Sequence, residues 1–344
     1  MSKLRVGVIG CGSIAKHRHL IEYNDHPDVE IVAVCDIVEE RVQEVAGIYG
    51  TKSYTSYEEL LATENIDAVS VCLPNYLHAP VSISALNAGC HVLCEKPMAT
   101  SIEEAEAMIE AAETNTRKLM IGHNQRFVPS HKKAKALIQS GEIGKIYSFR
   151  TTFGHGGPEA WSADGEKSWF FKKEEAFIGA MGDLGVHKAD LLRYLLGEEF
   201  VEIASFVETS AKEKSTVDDN SVSILKTESG VIGTLAASWA YTAAEDNSTI
   251  LFAEHAILRL EDDPVHSLVV QYKNGEVVKY ELGKIQSNDE GNQTSSHVIE
   301  HFVESIKSDK EPLINGYEGM KSLEVILAAL RSQETKTITQ IGQS

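Results

Sequence analysis

The segment Gly10-Cys11-Gly12-Ser13-Ile14-Ala15 restricts what this chain can fold into more than any other stretch. It reads G-x-G-x-x-A and follows directly on the apolar run Leu4-Arg5-Val6-Gly7-Val8-Ile9. A helix-compatible stretch comes next, then a second apolar run, Glu30-Ile31-Val32-Ala33-Val34-Cys35, which ends in Asp36. Strand, glycine turn, helix, strand and acid in that order describe the opening of a dinucleotide-binding fold. Each position has a physical task. Gly10 permits the tight turn, Gly12 lets the backbone approach a pyrophosphate, and Ala15 is small enough for helix to pack closely on strand. Ser13 and Ile14 open the helix, whose free N–H groups and positive dipole end face the phosphates. A glycine triplet alone would be an ordinary turn; the frame around it argues for a nucleotide.

Asp36 also chooses between cofactors. A carboxylate there accepts hydrogen bonds from the ribose hydroxyls of NAD and repels the 2′-phosphate of NADP. Ile37 and Val38 follow, and the nearest base, Arg41, comes one helical turn later, so NAD is expected. The net charge of −19 disfavours nucleic acid and anionic membranes as partners, although local helix ends still hold phosphates. The five cysteines, Cys11, Cys35, Cys72, Cys90 and Cys94, are odd in number and contain no C-x-x-C, and all but Cys11 fall in or near apolar strands. Disulfides are not expected, which fits a reducing cytoplasm. No signal peptide and no membrane-spanning stretch is read in the sequence.

Apolar strand patterns at 4–9, 30–35, 67–73, 90–94 and 118–122 alternate with helical patterns near 13–23, 38–48, 56–62, 76–88 and 101–114. Such alternation predicts a parallel sheet covered on both faces, an α/β Rossmann domain over residues 1–122. Ser101 and Glu104 have capping-box spacing at the start of the last of these helices. After a helix at 129–139 the pattern turns β-rich: 145–154, 201–209, 220–227, 231–240, 249–253, 256–260, 267–273 and 277–282, interrupted by a helix at 183–196. Helices near 294–307 and 316–331 close the chain. Residues 123–344 therefore read as an α+β domain with a large, mostly antiparallel open-faced sheet. The segments 155–168 and 283–293 are the most linker-like.

Three clusters carry chemistry. Cys94-Glu95-Lys96-Pro97 ends a parallel strand, where ligands bind in doubly wound sheets. Asp183, His187 and Asp190 share one side of a helix, and an Asp–His pair suits proton transfer. Taken alone, each of these also reads as surface polarity or a helix cap. D-x-x-x-H-x-x-D could hold a divalent cation, but hydride chemistry on an alcohol needs no metal, and none is expected. The third cluster, Gly122-His123-Asn124-Gln125-Arg126-Phe127, offers Asn124 and Arg126 to a polyol or to an internal hydrogen-bond network. Leu73-Pro74-Asn75-Tyr76-Leu77-His78 leaves another strand end, since Pro74 cannot extend a ladder. His155 and the aromatic stretch from Trp161 to Phe171, including Trp169, suit a substrate wall.

Together, in this order, the motifs resemble the glucose–fructose oxidoreductase / inositol dehydrogenase (Gfo/Idh/MocA) family: G-x-G-x-x-A, Asp36, LPNYLH, CEKP, GHNQRF, then GDLGVHKAD. The resemblance spans residues 4 to at least 196. It implies catalytic roles for Lys96, Asp183 and His187, with the general base left open between Lys96 and His187. The cofactor side comprises Gly10, Gly12, Ser13, Ile14, Asp36, Pro74, Asn75, His78, Glu95 and Lys96. The substrate side comprises Asn124, Arg126, His155, Trp169, Asp183 and His187. The implied activity is NAD-dependent oxidation of a secondary alcohol on a cyclic polyol or sugar, inositol favoured and scyllo-inositol named among its isomers. A homodimer or homotetramer through the C-terminal sheet is implied as well. The alternatives are an NAD-retaining glycosidase-like enzyme and a non-catalytic NAD-binding sensor. One departure stands out: Ile178-Gly179-Ala180-Met181 replaces the G-G-G run of many members, which leaves the pocket shape there open.

Overall fold

The computed structural model describes residues 3–283 and 295–342. The linker-like stretch expected at 283–293 lies outside the described residues after Gly283. Two compact units form: Met1–His123 with Trp161–Gly165 and Gln293–Met320, and Asn124–Ala160 with Glu166–Asn292 and Lys321–Ser344. A single cut after residue 122 thus misassigns two segments, and the reason is hydrogen bonding. Ile121 N donates to Ile314 O (2.9 Å), and Ser13 Oγ donates to Trp161 O (2.7 Å). Both bonds tie distant chain back to the first unit.

In the first unit, strands β1 (Leu4–Ile9), β2 (Val29–Cys35), β3 (Lys52–Tyr54), β4 (Ala68–Val71), β5 (His91–Cys94) and β6 (Leu119–Ile121) form one sheet in the order β3-β2-β1-β4-β5-β6. Every pairing is parallel. The connecting helices are α1 (Leu20–Asp25), α2 (Glu39–Tyr49), α3 (Tyr57–Thr63), α4 (His78–Asn87) and α5 (Ile102–Thr114). β4 and β6 are buried at every residue, as strands covered on both faces must be. The order reverses between β1 and β4, which opens a crevice beyond their carboxyl ends. The expected cap at Ser101 forms: its Oγ accepts from Glu104 N (3.2 Å), while the Glu104 carboxylate reaches back to Thr100 N (2.8 Å). A π-helical turn, Ala15–His19, precedes α1.

The second unit contains helices α6 (Pro129–Gln139), α7 (Lys173–Ala176) and α8 (Val186–Leu196). Its strands are β7 (Ile146–Gly154), β8 (Phe200–Glu208), β9 (Asn220–Thr227), β10 (Ile232–Ser238), β11 (Thr249–Ala253), β12 (Ala256–Leu260), β13 (Leu268–Tyr272), β14 (Val277–Tyr280) and β15 (Thr339–Gln340). They make one nine-stranded sheet in the order β14-β13-β12-β11-β7-β10-β9-β8-β15. All neighbours run antiparallel except β7 and β10. β9 alternates exposed and buried residues along its length. Val222 and Ile224 are on its exposed face, and Phe206, paired with Val222, is 72% exposed. No helix among the described residues is long and apolar enough to cross a membrane.

Candidate active-site residues

The first unit builds a dinucleotide cradle at the ends of β1 and β2. Gly10 has φ +95°, and a Cβ there would sit 2.1 Å from Cys72 O, so only glycine fits. At Gly12 an added Cβ would meet nothing within 4 Å: the position faces open space, as a phosphate-binding backbone should. The Asp36 carboxylate is buried and oriented by two backbone donors, Cys11 N to Oδ2 and Val38 N to Oδ1, both at 2.9 Å. These residues fit a bound dinucleotide in both shape and donor chemistry. Pro74 and the buried Asn75 turn the chain beyond β4, and Lys96 follows β5.

Two residues expected on the cofactor side have other work. The His78 ring nitrogens lie 2.7 Å from Pro97 O and 2.8 Å from Leu73 O, so this buried imidazole joins two loops. Burial lowers its pKa. Glu95 meets His19 Nε2 at 2.9 Å, and His19 Nδ1 meets Ser70 Oγ at 3.0 Å. Burial alone would raise the Glu95 carboxyl, but the bond to and charge of His19 outweigh it and hold the group at about 2. Glu95 therefore anchors the start of the loop that carries Lys96, and Lys96 N donates to its Oε2 at 3.2 Å. Gly122 faces this carboxylate, where a Cβ would stand 3.0 Å from Oε1.

In the second unit, Asp183 and His187 lie one turn apart on a continuous helix, π-helical over Met181–Gly185 and then α8. Both are buried. Trp239 Nε1 donates to Asp183 Oδ2 (3.2 Å), and the His187 ring packs on Phe153 with centroids 5.8 Å apart. The first turn is held by Asp218, whose carboxylate accepts from Gly179 N (2.7 Å) and Met181 N (2.8 Å). Burial pushes Asp218 up to about 6 against these two bonds. The Ile178-Gly179-Ala180-Met181 departure is resolved here: a Cβ at Gly179 would sit 1.8 Å from Asp218 O, whereas Ala180 carries its Cβ in the buried core.

Arg126 is engaged inside the second unit. Its guanidinium makes a buried bidentate pair with Asp190, Nε to Oδ2 at 2.8 Å and Nη2 to Oδ1 at 2.7 Å. Asp190, expected on the Asp183–His187 face, is committed to this pair and to Ser322 Oγ (3.1 Å). Asn124 keeps the binding reading: its Oδ1 is buried and has no hydrogen-bond partner among the described residues. His155 Nδ1 accepts from Gly157 N (2.9 Å), which puts the proton of the neutral ring on Nε2. Trp169 stacks on Phe170 at 3.9 Å, whereas Trp161 belongs to the first unit. Among the described residues no cluster of three or more His, Cys, Asp or Glu has the arrangement to hold a metal ion.

Sequence reasoning missed Asp218, Trp239 and Lys188. Lys188, next to His187, is fully buried, with Nζ 2.7 Å from Asn247 O and 5.8 Å from the Phe153 ring centroid. The one sequence signal for any of them was the acidic pair Asp218-Asp219 ahead of an alternating strand.

Comparison with known proteins agrees with the two-part fold. Residues 4–123 match the family model described as an oxidoreductase family with an NAD-binding Rossmann fold, and residues 131–259 match the GFO/IDH/MocA C-terminal domain. The chain is 36% identical over 209 residues to levoglucosan dehydrogenase of Pseudarthrobacter phenanthrenivorans, covering 58% of this chain and 52% of that protein. It is 26% identical to myo-inositol 2-dehydrogenase of Thermotoga maritima over 99% of both. The crystal structure of aldose-aldose oxidoreductase from Caulobacter crescentus superimposes with a TM-score of 0.85 at 25% identity, covering 98% of this chain and all of that one.

Proposed function

Because the chain belongs to the Gfo/Idh/MocA oxidoreductase family, we propose that it oxidises a secondary alcohol of a cyclic polyol or sugar, with NAD as the hydride acceptor. The observation that carries this reading is the buried Asp183–His187 pair on a helix capped by a buried carboxylate, in a chain with a complete dinucleotide cradle. NAD supplies the acceptor for the hydride leaving the substrate carbon. His187 takes the hydroxyl proton, because imidazole titrates near neutral pH. Lys96 donates to the reacting oxygen and favours its developing negative charge. Asp183 binds the substrate and tunes the group, with its carboxylate steadied by Trp239. Asn124, His155 and Trp169 contribute the substrate wall.

Inositols are the favoured substrates, scyllo-inositol among them, and levoglucosan and related pyranoses follow from the names of similar proteins. We assign the oligomer interface to the sheet face bearing Phe206, Val222 and Ile224, since exposed apolar residues in a row mark association surfaces. The test is a panel of inositols, levoglucosan and glucosides with NAD, read by NADH absorbance. NADH release with at least one substrate is expected. If NAD binds but no substrate on the panel releases NADH, the dehydrogenase reading fails and the glycosidase-like or sensor alternative replaces it.

A further inference from the structure

A segment far along the chain reaches the nucleotide cradle. Trp161–Gly165 is part of the first unit, although the residues on either side of it are not. Two bonds fix it there: Ser13 Oγ donates to Trp161 O at 2.7 Å, and Arg41 Nη2 donates to Asp164 Oδ1 at 2.7 Å. Between them is a cavity of about 610 Å³ bounded by Ser13, Lys16, Val38, Arg41, Trp161 and Ala163. Ser13 opens the phosphate helix and Val38 follows Asp36, so the 2′ position of a bound adenosine ribose would lie on this side of the cradle.

Rossmann domains that take NADP use an arginine beside this acid position to hold the 2′-phosphate. Arg41 is the base in that place here, with Nη1 3.5 Å from Asp36 Oδ2. Its guanidinium is instead held by two carboxylates, Asp36 and Asp164. We propose that Asp164 is a specificity-determining residue that excludes NADP by occupying Arg41. Asp164 stands in for the 2′-phosphate at Arg41, and the lysine that lines the cavity, Lys16, is itself paired with Glu44 at 2.6 Å. NAD carries no charge at the position and is unaffected. The arrangement also explains why Asp36 alone need not exclude NADP, because a free arginine beside it would attract the phosphate that the carboxylate repels.

The test is isothermal titration of the cofactor-free protein with NAD and with NADP. Wild type should bind NAD at least tenfold more tightly than NADP. Asp164→Asn should tighten NADP binding about tenfold and leave NAD within about threefold of wild type. Asp164→Glu, which keeps the charge, should keep the wild-type preference. Adding Arg41→Met to Asp164→Asn should remove the gain. The proposal is overturned if Asp164→Asn changes NADP affinity less than twofold, if it shifts NAD and NADP in parallel, or if the gain survives Arg41→Met. Failure of wild type to bind either cofactor would instead sink the NAD-binding reading on which this proposal rests.

Discussion

Lys188 gives the sharpest quantitative prediction. It is fully buried beside His187, and its ammonium has Asn247 O at 2.7 Å and Thr249 Oγ1 at 3.3 Å as oxygen partners. Burial lowers its pKa from 10.5 to about 7, only partly opposed by the charges of Glu261, Asp246 and Glu245. Each pKa unit is worth about 1.4 kcal/mol, so holding this lysine in the core costs about 4 kcal/mol at pH 7. Lys188→Met keeps the volume and removes that cost, but leaves the Asn247 carbonyl without its partner, a loss of about 1–3 kcal/mol. The variant should therefore be more stable than wild type by about 1–3 kcal/mol at pH 7, which in a unit of this size is a rise of roughly 3–8 °C in Tm. The sign with pH follows from the depressed pKa. Between pH 7 and 10.5 the native state binds fewer protons than the unfolded state, so the wild-type penalty is fully present below pH 7 and fades as pH rises. Urea unfolding of both proteins should show the gap closing by about 2 kcal/mol from pH 7 to pH 9. His131, held at about 3 by burial and then by the Lys188 charge, and Asp218, at about 6, titrate below this window. The buried cysteines contribute equally to both proteins and cancel in the difference. A variant less stable than wild type by more than about 1 kcal/mol, or a gap independent of pH, refutes the reasoning.

Three further outcomes are expected. His187→Gln should lower kcat strongly and remove the acidic limb of its pH profile, whereas Lys96→Met should remove that limb only if Lys96 is the base. Arg126→Met leaves Asp190 buried without its bidentate partner and should destabilise the protein by about 3–5 kcal/mol in urea, with substrate KM changed little in the folded fraction. If the proposed interface on the exposed sheet face forms, Phe206→Asp should shift the protein to monomer in size-exclusion chromatography, and an unchanged elution volume would reject that interface.

The first unit was legible because each of its long elements carries its own periodicity. The apolar runs ending at Ile9 and Cys35 became β1 and β2, and the turn at Gly10 formed as its residue types require. β3 was invisible, since Lys52-Ser53-Tyr54 is short and mostly solvent-facing, with no apolar run. The π-helical turns at Ala15–His19 and Met181–Gly185 have no composition signature distinct from an α-helix. The internal partners of three expected site residues were not legible, for a different reason. Glu95, His78 and Arg126 each stand next to a true strand end or motif residue, but their partners His19, Pro97 and Asp190 come from elsewhere in the sequence. Local spacing reports which residues share a strand end or helix face. It carries no record of which side chain a distant segment neutralises, and buried charges are always neutralised by something.

Asp218 illustrates how that hidden pairing organises the second unit. Its carboxylate is kept in the interior at a cost of about 3 kcal/mol at neutral pH, worked from its rise to about 6. What it holds is the start of the helix that bears Asp183 and His187. Its neighbour Asp219 accepts from Ser210 N, Ala211 N and Lys212 N, which folds the turn that carries Lys212. Lys212 Nζ in turn donates to Gly156 O and pairs with Glu159, next to His155. Asp219 O also receives Trp239 N, and the Trp239 indole returns to Asp183. Two adjacent acids just ahead of β9 thus fix the helix that bears Asp183 and His187, the loop around His155 and the indole that steadies Asp183. A buried charge that opposes folding is retained where it orients chemistry, and here the orientation reaches all three parts of the proposed substrate side from one turn of chain.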